Sequence, residues 1–189
     1  IPVLSDKTMV AWATVSDRAQ RGGSLLTVQE DEWFDAIVLG EGVPERWMAG
    51  SDFFRRTQAV EGQASCVSET AAPTELVQLA VVYAGRQITL YRNGQVYGSY
   101  EVGAPQRFED YSLLLGLRYL GAMGAIGFYH GNIEEARLYD VALTPEQIAA
   151  LHVDQPAMPA PTTPICLSSG SSLLSSSSYI RPSATQGET

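Results

Sequence analysis

Between residues 7 and 151 turn-forming residues recur roughly every 8–12 positions, and helical spacing appears once, after Thr144. A chain punctuated that often has no room for long helices or for the crossover units of a parallel sheet. It has to stack short strands, so the expected fold is all-β: a two-sheet antiparallel jelly-roll sandwich with one short C-terminal helix. Hydrophobic residues make up 45% of the 189 positions, which supplies one substantial core.

Residues 8–15 are almost wholly apolar and rich in strand formers, as in a strand covered on both faces. Residues 24–29 and 34–41 read as a hairpin across Glu30-Asp31-Glu32, followed by a short strand at 46–50. Residues 51–73 turn polar and lose periodicity, which predicts a long exposed connection of the kind that carries function on a rigid sandwich. Residues 76–84, 87–92 and 95–101 form a three-strand meander. Its second turn, Asn93-Gly94, supplies the two positive φ angles that a type I′ turn needs and so fixes the register. Residues 111–117 predict another strand, 121–127 a small-residue loop, and 128–140 the last strand. At Thr144-Pro145-Glu146-Gln147 a capping box with proline at the first helical position opens a short helix through Ile148 and Leu151. The domain is expected over residues 1–152. Residues 153–189, rich in Pro, Thr and then Ser, bury too little apolar surface to offset ordering entropy and read as a linker or disordered tail.

The formal charge of -9 disfavours nucleic acid and anionic membranes as partners. No stretch reaches the roughly 18 apolar residues of a membrane span, and the first residues lack the basic and apolar regions of a signal peptide, as in a mature chain or an excised domain. Cys66 and Cys166 either pair in an oxidising compartment or stay apart because the tail has no fixed position. His130 and His152 lack a Cys or second His at zinc-ligand spacing, and the serines of the tail have no accompanying triad.

Leu79-Ala-Val-Val-Tyr-Ala-Gly85, Ile88-Thr-Leu-Tyr-Arg-Asn-Gly94 and the run from Gly131 to Ile148 together resemble the laminin-G-like, concanavalin A-like lectin domain family. The final pattern is the most specific: Gly, a hydrophobic-acidic-acidic strand, Arg-Leu-Tyr, Ala-Leu-Thr and a capped helix. Before the Leu79 strand, where relatives often carry Trp-His, this chain has Leu76-Val77-Gln78. Arg21-Gly-Gly, the run from Phe34 to Glu41 and that from Arg46 to Thr57 resemble the module embedded in large planctomycete proteins that also carry haem-c-type domains. That resemblance implies an exported (secreted, periplasmic or cell-surface) multidomain protein, although this chain lacks the Cys-x-x-Cys-His motif of a covalent haem.

The fold named by the resemblance also hosts glycosidases, which makes Glu30, Asp31, Glu32 and Asp35 candidates for paired carboxylates. Three consecutive acids in a hairpin loop do not share a strand face, and the expectation is a non-catalytic domain. Some relatives bind calcium; Glu30, Asp31, Asp35, Asp52 and Asp110 offer oxygens, with Asp31, Asp35 and Asp110 the candidate ligand set. Of Glu134 and Glu135, one is expected exposed and one paired with an arginine. Sugar recognition needs aromatic faces beside planar hydrogen-bonding groups, and Trp33, Asp52, Phe53, Arg55 and Arg56 supply them, with Phe54 and Trp47 as further rings. Core packing competes for Trp12, Trp47, Phe53 and Phe54, and pairing with Glu41 or Asp52 competes for Arg55 and Arg56. The expected role is a recognition module for a glycan or protein ligand. The alternative is a spacer packed against neighbouring domains, and glycoside hydrolysis stands third.

Overall fold

The structure, a computed structural model, describes residues 2–122, 124–153, 165–168 and 178–180. Its strands are β1 (Lys7–Val15), β2 (Gly23–Glu30), β3 (Trp33–Leu39), β4 (Trp47–Ser51), β5 (Val77–Ala84), β6 (Gln87–Arg92), β7 (Gln95–Glu101), β8 (Ser112–Leu115), β9 (Leu117–Gly121), β10 (Gly124–Phe128), β11 (Gly131–Tyr139), β12 (Ile165–Ser168) and β13 (Ser178–Ile180), joined by two short helices, α1 (Val60–Ser65) and α2 (Pro145–Ala149). The strands form a six-stranded sheet in the order β12-β11-β1-β5-β6-β7 and a five-stranded sheet in the order β13-β8-β2-β3-β4, all antiparallel, with β9 and β10 as a separate pair. The expected two-sheet sandwich is the fold observed. Strands β12 and β13 come from the region read as linker or tail; the rest of 154–189 lies outside the described residues.

Period-two alternation builds the core. Met9, Ala11, Ala13 and Val15 of β1, Leu79 and Val81 of β5, and Ile37 and Leu39 of β3 all turn between the sheets. The intervening residues of β1 and β5, Val10, Trp12, Ala80 and Val82, face outward and are covered by Ile148 and Leu151 at the closing helix. That helix, α2, has the expected capping box: Gln147 N–H donates to the Thr144 hydroxyl and Thr144 N–H to Gln147 Oε1 at 2.8 Å. The Asn93-Gly94 turn has φ of 49° and 74° and lies against it. Gln78 joins the two, accepting from Gly94 N and donating to the carbonyls of Ile148 and Leu151.

The structure departs from expectation in three places. Residues 111–117 are not one strand, because Gly116 at φ 68° breaks the run between β8 and β9. Residues 121–127 are not a plain loop, and the strand placed at 128–140 begins at Gly131, since β9 and β10 pair as a hairpin. A Cβ at Gly127 would sit 2.5 Å from the Gly22 carbonyl oxygen, so the glycine permits the hairpin to lie close to the chain before β2. The long connection is neither featureless nor fully exposed. It contains a 3₁₀ turn at Asp52–Phe54 and the helix α1, which lacks a side-chain cap and is held by tertiary contacts.

Glu69 pins that connection down. Its buried carboxylate accepts from Trp47 Nε1 at 2.6 Å, Ala71 N at 2.8 Å and both Nε and Nη2 of Arg92 at 2.9 and 2.6 Å. Burial pushes its pKa up, but these donors and the Arg92 charge outweigh burial and hold it below the ordinary carboxylate value. Cys66 is a buried free thiol, so the disulfide alternative is not realised at this residue.

Candidate functional site

The first residue of β1 and the third of β3 fall on inward-facing positions, and both are charged. Lys7 Nζ and Asp35 Oδ2 therefore meet across the sandwich at 2.7 Å, with side chains 1% and 0% exposed. Asp35 also accepts from Arg56 Nη2 at 2.8 Å, and Arg56 Nε donates to Asp52 Oδ2 at 2.7 Å. The remaining Asp52 oxygen accepts from Phe34 N at 2.8 Å. Two cations and two anions thus form a neutral buried chain. Lys7 Nζ lies 4.1 Å from the Tyr83 ring centroid and 4.7 Å from that of Phe108. Burial lowers the Lys7 pKa, with Asp35 opposing. Burial also acts to lower that of Arg56, but Asp35 and Asp52 prevail and raise it.

This chain of charges clamps an unusual bend. Asp52, Phe53 and Phe54 have φ of 43°, 52° and 74°, left-handed conformations that cost an L-residue about 1 kcal/mol or more each. The Asp52 carboxylate, tied to Arg56 four residues on and to β3, holds the bend closed. The result is that two phenylalanines are half exposed, Phe53 at 50% and Phe54 at 52%; Trp33 is 42% exposed. Phe53 stands on a buried support, with its ring centroid 5.3 Å from Phe34 and 5.1 Å from Tyr119, both in edge-on arrangements. Arg55 lies over the Trp33 indole, guanidinium carbon 5.6 Å from the ring centroid.

The β2–β3 turn that carries Trp33 is fixed from two sides. Glu30 accepts from Glu109 N and Asp110 N at 3.1 and 2.9 Å, and Gln29 exchanges hydrogen bonds with the Leu120 backbone at 2.7 and 3.0 Å. The structure therefore presents two exposed aromatic features, the Trp33 indole under Arg55 and the Phe53 ring on Phe34 and Tyr119, with Phe54 exposed between Phe53 and Arg55 in the chain. Exposed rings of this kind stack against the C–H face of a sugar or another flat apolar group, and Arg55 donates hydrogen bonds.

Asp52 and Arg56, expected as ligand contacts, are instead buried or nearly so and committed to each other, to Asp35 and to β3; they position the bend. The calcium set is not assembled. Asp35 is consumed by Lys7 and Arg56, Asp31 and Asp110 are exposed, and no group of three or more His, Cys, Asp or Glu side chains is placed to hold a metal among the described residues. Trp12 and Trp47 are core residues, the first lying under the Arg137 guanidinium. Glu134 is exposed and Glu135 pairs with Arg137, as expected. Sequence reasoning missed Lys7, whose parity with Met9 and Ala11 was the available signal, and Tyr119, which falls between the strand expected at 111–117 and the loop expected at 121–127.

An open cleft of about 390 Å³ lies at the opposite end of β1 from Lys7 and is lined in part by Asp17, Arg18, Glu45 and Thr70. Among the described residues no helix is long and apolar enough to cross a membrane.

Solved structures share this architecture. A putative carbohydrate binding protein from Bacteroides ovatus superposes with a TM-score of 0.59 at 16% identity, over 78% of this chain and 41% of that one. Domain 4 of a GH43 extracellular arabinanase from Geobacillus stearothermophilus, solved with arabinotriose, gives 0.54 at 17% identity over 79% and 66%. A heptameric SAP-like pentraxin from Limulus polyphemus gives 0.53 at 16% identity over 79% and 70%. At these identities the likeness is one of fold. A search of curated proteins gives no match. A laminin-G-type family model matches residues 2–149, and the chain belongs to the concanavalin A-like lectin/glucanases superfamily.

Proposed function

We propose that this domain is a non-catalytic recognition module that binds carbohydrate through Trp33, Phe53, Phe54 and Arg55, as one part of an exported multidomain protein. The observation that carries the reading is the strained bend at Asp52 to Phe54. Buried charges hold it in a conformation that leaves Phe53 and Phe54 exposed immediately before Arg55, which lies over Trp33. Strain retained in this way is characteristic of functional segments. In keeping with it, a fold neighbour is described as a putative carbohydrate binding protein and another was solved with arabinotriose.

A spacer packed against neighbouring domains is the second reading, and Arg56 favours it, because its guanidinium is paired within the fold. Arg55, exposed and without an ion-pair partner among the described residues, favours recognition. A glycan array and a protein pull-down, each run with the native chain and with Trp33→Ala and Phe53→Ala, separate the two. A ligand weakened at least tenfold by either substitution, with unchanged far-UV circular dichroism, supports the module. Negative results in both screens refute it, and turnover of a polysaccharide by the native chain refutes the non-catalytic assignment.

A further inference from the structure

Nearly every arginine among the described residues spends its guanidinium within the fold: all but Arg18 and Arg55 donate to a carboxylate, a carbonyl or a hydroxyl. Arg18 is exposed and has no ring beneath it. Arg55 lies against the Trp33 indole, and Phe53 and Phe54, just before it in the chain, are also exposed.

The polar chemistry of these side chains is one-sided. Phenyl rings offer no hydrogen bond, an indole N–H only donates, and a guanidinium presents five donors and no acceptor. Trp33 Nε1 and the Arg55 fork both lack a hydrogen-bond partner among the described residues. Of the acids close by in the chain, Asp52 is committed to Arg56 and Phe34 N, Asp35 to Lys7 and Arg56, and Glu30 to the backbone of Glu109 and Asp110, while Asp31 and Glu32 are exposed and form no ion pair with Arg55 among the described residues. A neutral sugar, whose hydroxyls both donate and accept, finds only donors on the Trp33–Arg55 pair itself. A planar anion with two acceptor oxygens matches the fork, and stacking on the indole fixes the plane of the fork before the ligand arrives.

We infer that this surface, read as the glycan site proposed above, selects a carboxylate-bearing sugar. The sugar ring packs on Trp33, and the carboxylate is taken by Arg55. The exposed Asp31 and Glu32 act against an anion; of the rest of the negative charge, what lies beyond about 8 Å is largely screened at physiological salt while a contact-range pair with Arg55 is not.

The test is isothermal titration of the full chain with trigalacturonate, with its methyl ester and with a neutral galactotriose, alongside a sialylated oligosaccharide to separate uronic from other sugar acids. The native chain is expected to bind one of the acids at least tenfold more tightly than the methyl ester or the neutral trisaccharide. Arg55→Gln is expected to abolish the preference, and Arg55→Lys to keep only part of it, because an ammonium cannot form the two parallel hydrogen bonds. Equal binding of acid and ester, or a preference that survives Arg55→Gln, overturns the inference. If neutral sugars bind in a Trp33-dependent way without preference for acids, the recognition reading stands and this inference alone falls; if nothing in the panel binds, both fall.

Discussion

The buried chain of Lys7, Asp35, Arg56 and Asp52 makes a sharp energetic prediction because its charges cancel. Lys7→Met keeps most of the side-chain volume but leaves two buried carboxylates facing one guanidinium. Removing one partner of a buried pair costs about 3–5 kcal/mol. For a chain of this size, about 2–4 °C of melting temperature per kcal/mol gives a fall of roughly 6–20 °C. Asp35→Asn fails in the opposite sense, leaving Lys7 and Arg56 against Asp52 alone. The double variant restores neutrality, so it is expected to be more stable than either single one, with a coupling of about 2–3 kcal/mol. Guanidinium unfolding followed by tryptophan fluorescence measures all four corners of the cycle, provided the m-value is unchanged. A Lys7→Met loss below about 1 kcal/mol, or additive effects in the double variant, would refute the reasoning.

Three further outcomes follow from the same geometry. Because the Glu69 pKa is held below its ordinary value of 4.5, its contribution is present above that pH and is lost as the pH falls through the depressed value; Glu69→Gln should lower stability at pH 7 by roughly 3 kcal/mol and flatten the acid limb of a melting-temperature profile below pH 4.5. Burial raises the pKa of Tyr83 well above 10.0 and pushes Tyr97 and Tyr111 up to about 12, so their contribution is intact below pH 10 and declines above it; absorbance at alkaline pH should show these tyrosines ionising with unfolding rather than before it. Gln78→Leu strands the Leu151 carbonyl and the Gly94 N–H, leaves the Ile148 carbonyl with backbone donors only, and should cost about 1–3 kcal/mol by denaturant titration, with increased amide exchange at residues 148–151.

The parts of this protein that follow a short-range rule could be read from its sequence. The Asn93-Gly94 turn and the Thr144 capping box depend on residues adjacent in the chain, and both stand where their residue types place them. The meander follows from alternation within single strands. The β9–β10 hairpin escaped because Gly121 to Gly127 has no alternation of its own; its pairing is completed by packing near β2. The helix α1 escaped for the same reason, since nothing in Val60 to Ser65 caps or patterns it.

The candidate site divides along the same line. Sequence chemistry singled out Trp33 beside the acidic hairpin turn and Phe53, Arg55 and Arg56 in the polar connection, but the two adjacent arginines are chemically identical there. Folding separates them, turning Arg56 in toward Asp35 on β3, 21 residues earlier in the chain, and leaving Arg55 over Trp33. The sandwich, the register of its meander and its closing helix are legible in the residues alone, because they rest on local periodicity and turn chemistry. The direction of each charge in the bend comes instead from the meeting of two sheets, since an ion pair between Lys7 and Asp35 exists only once β1 and β3 face each other across the core.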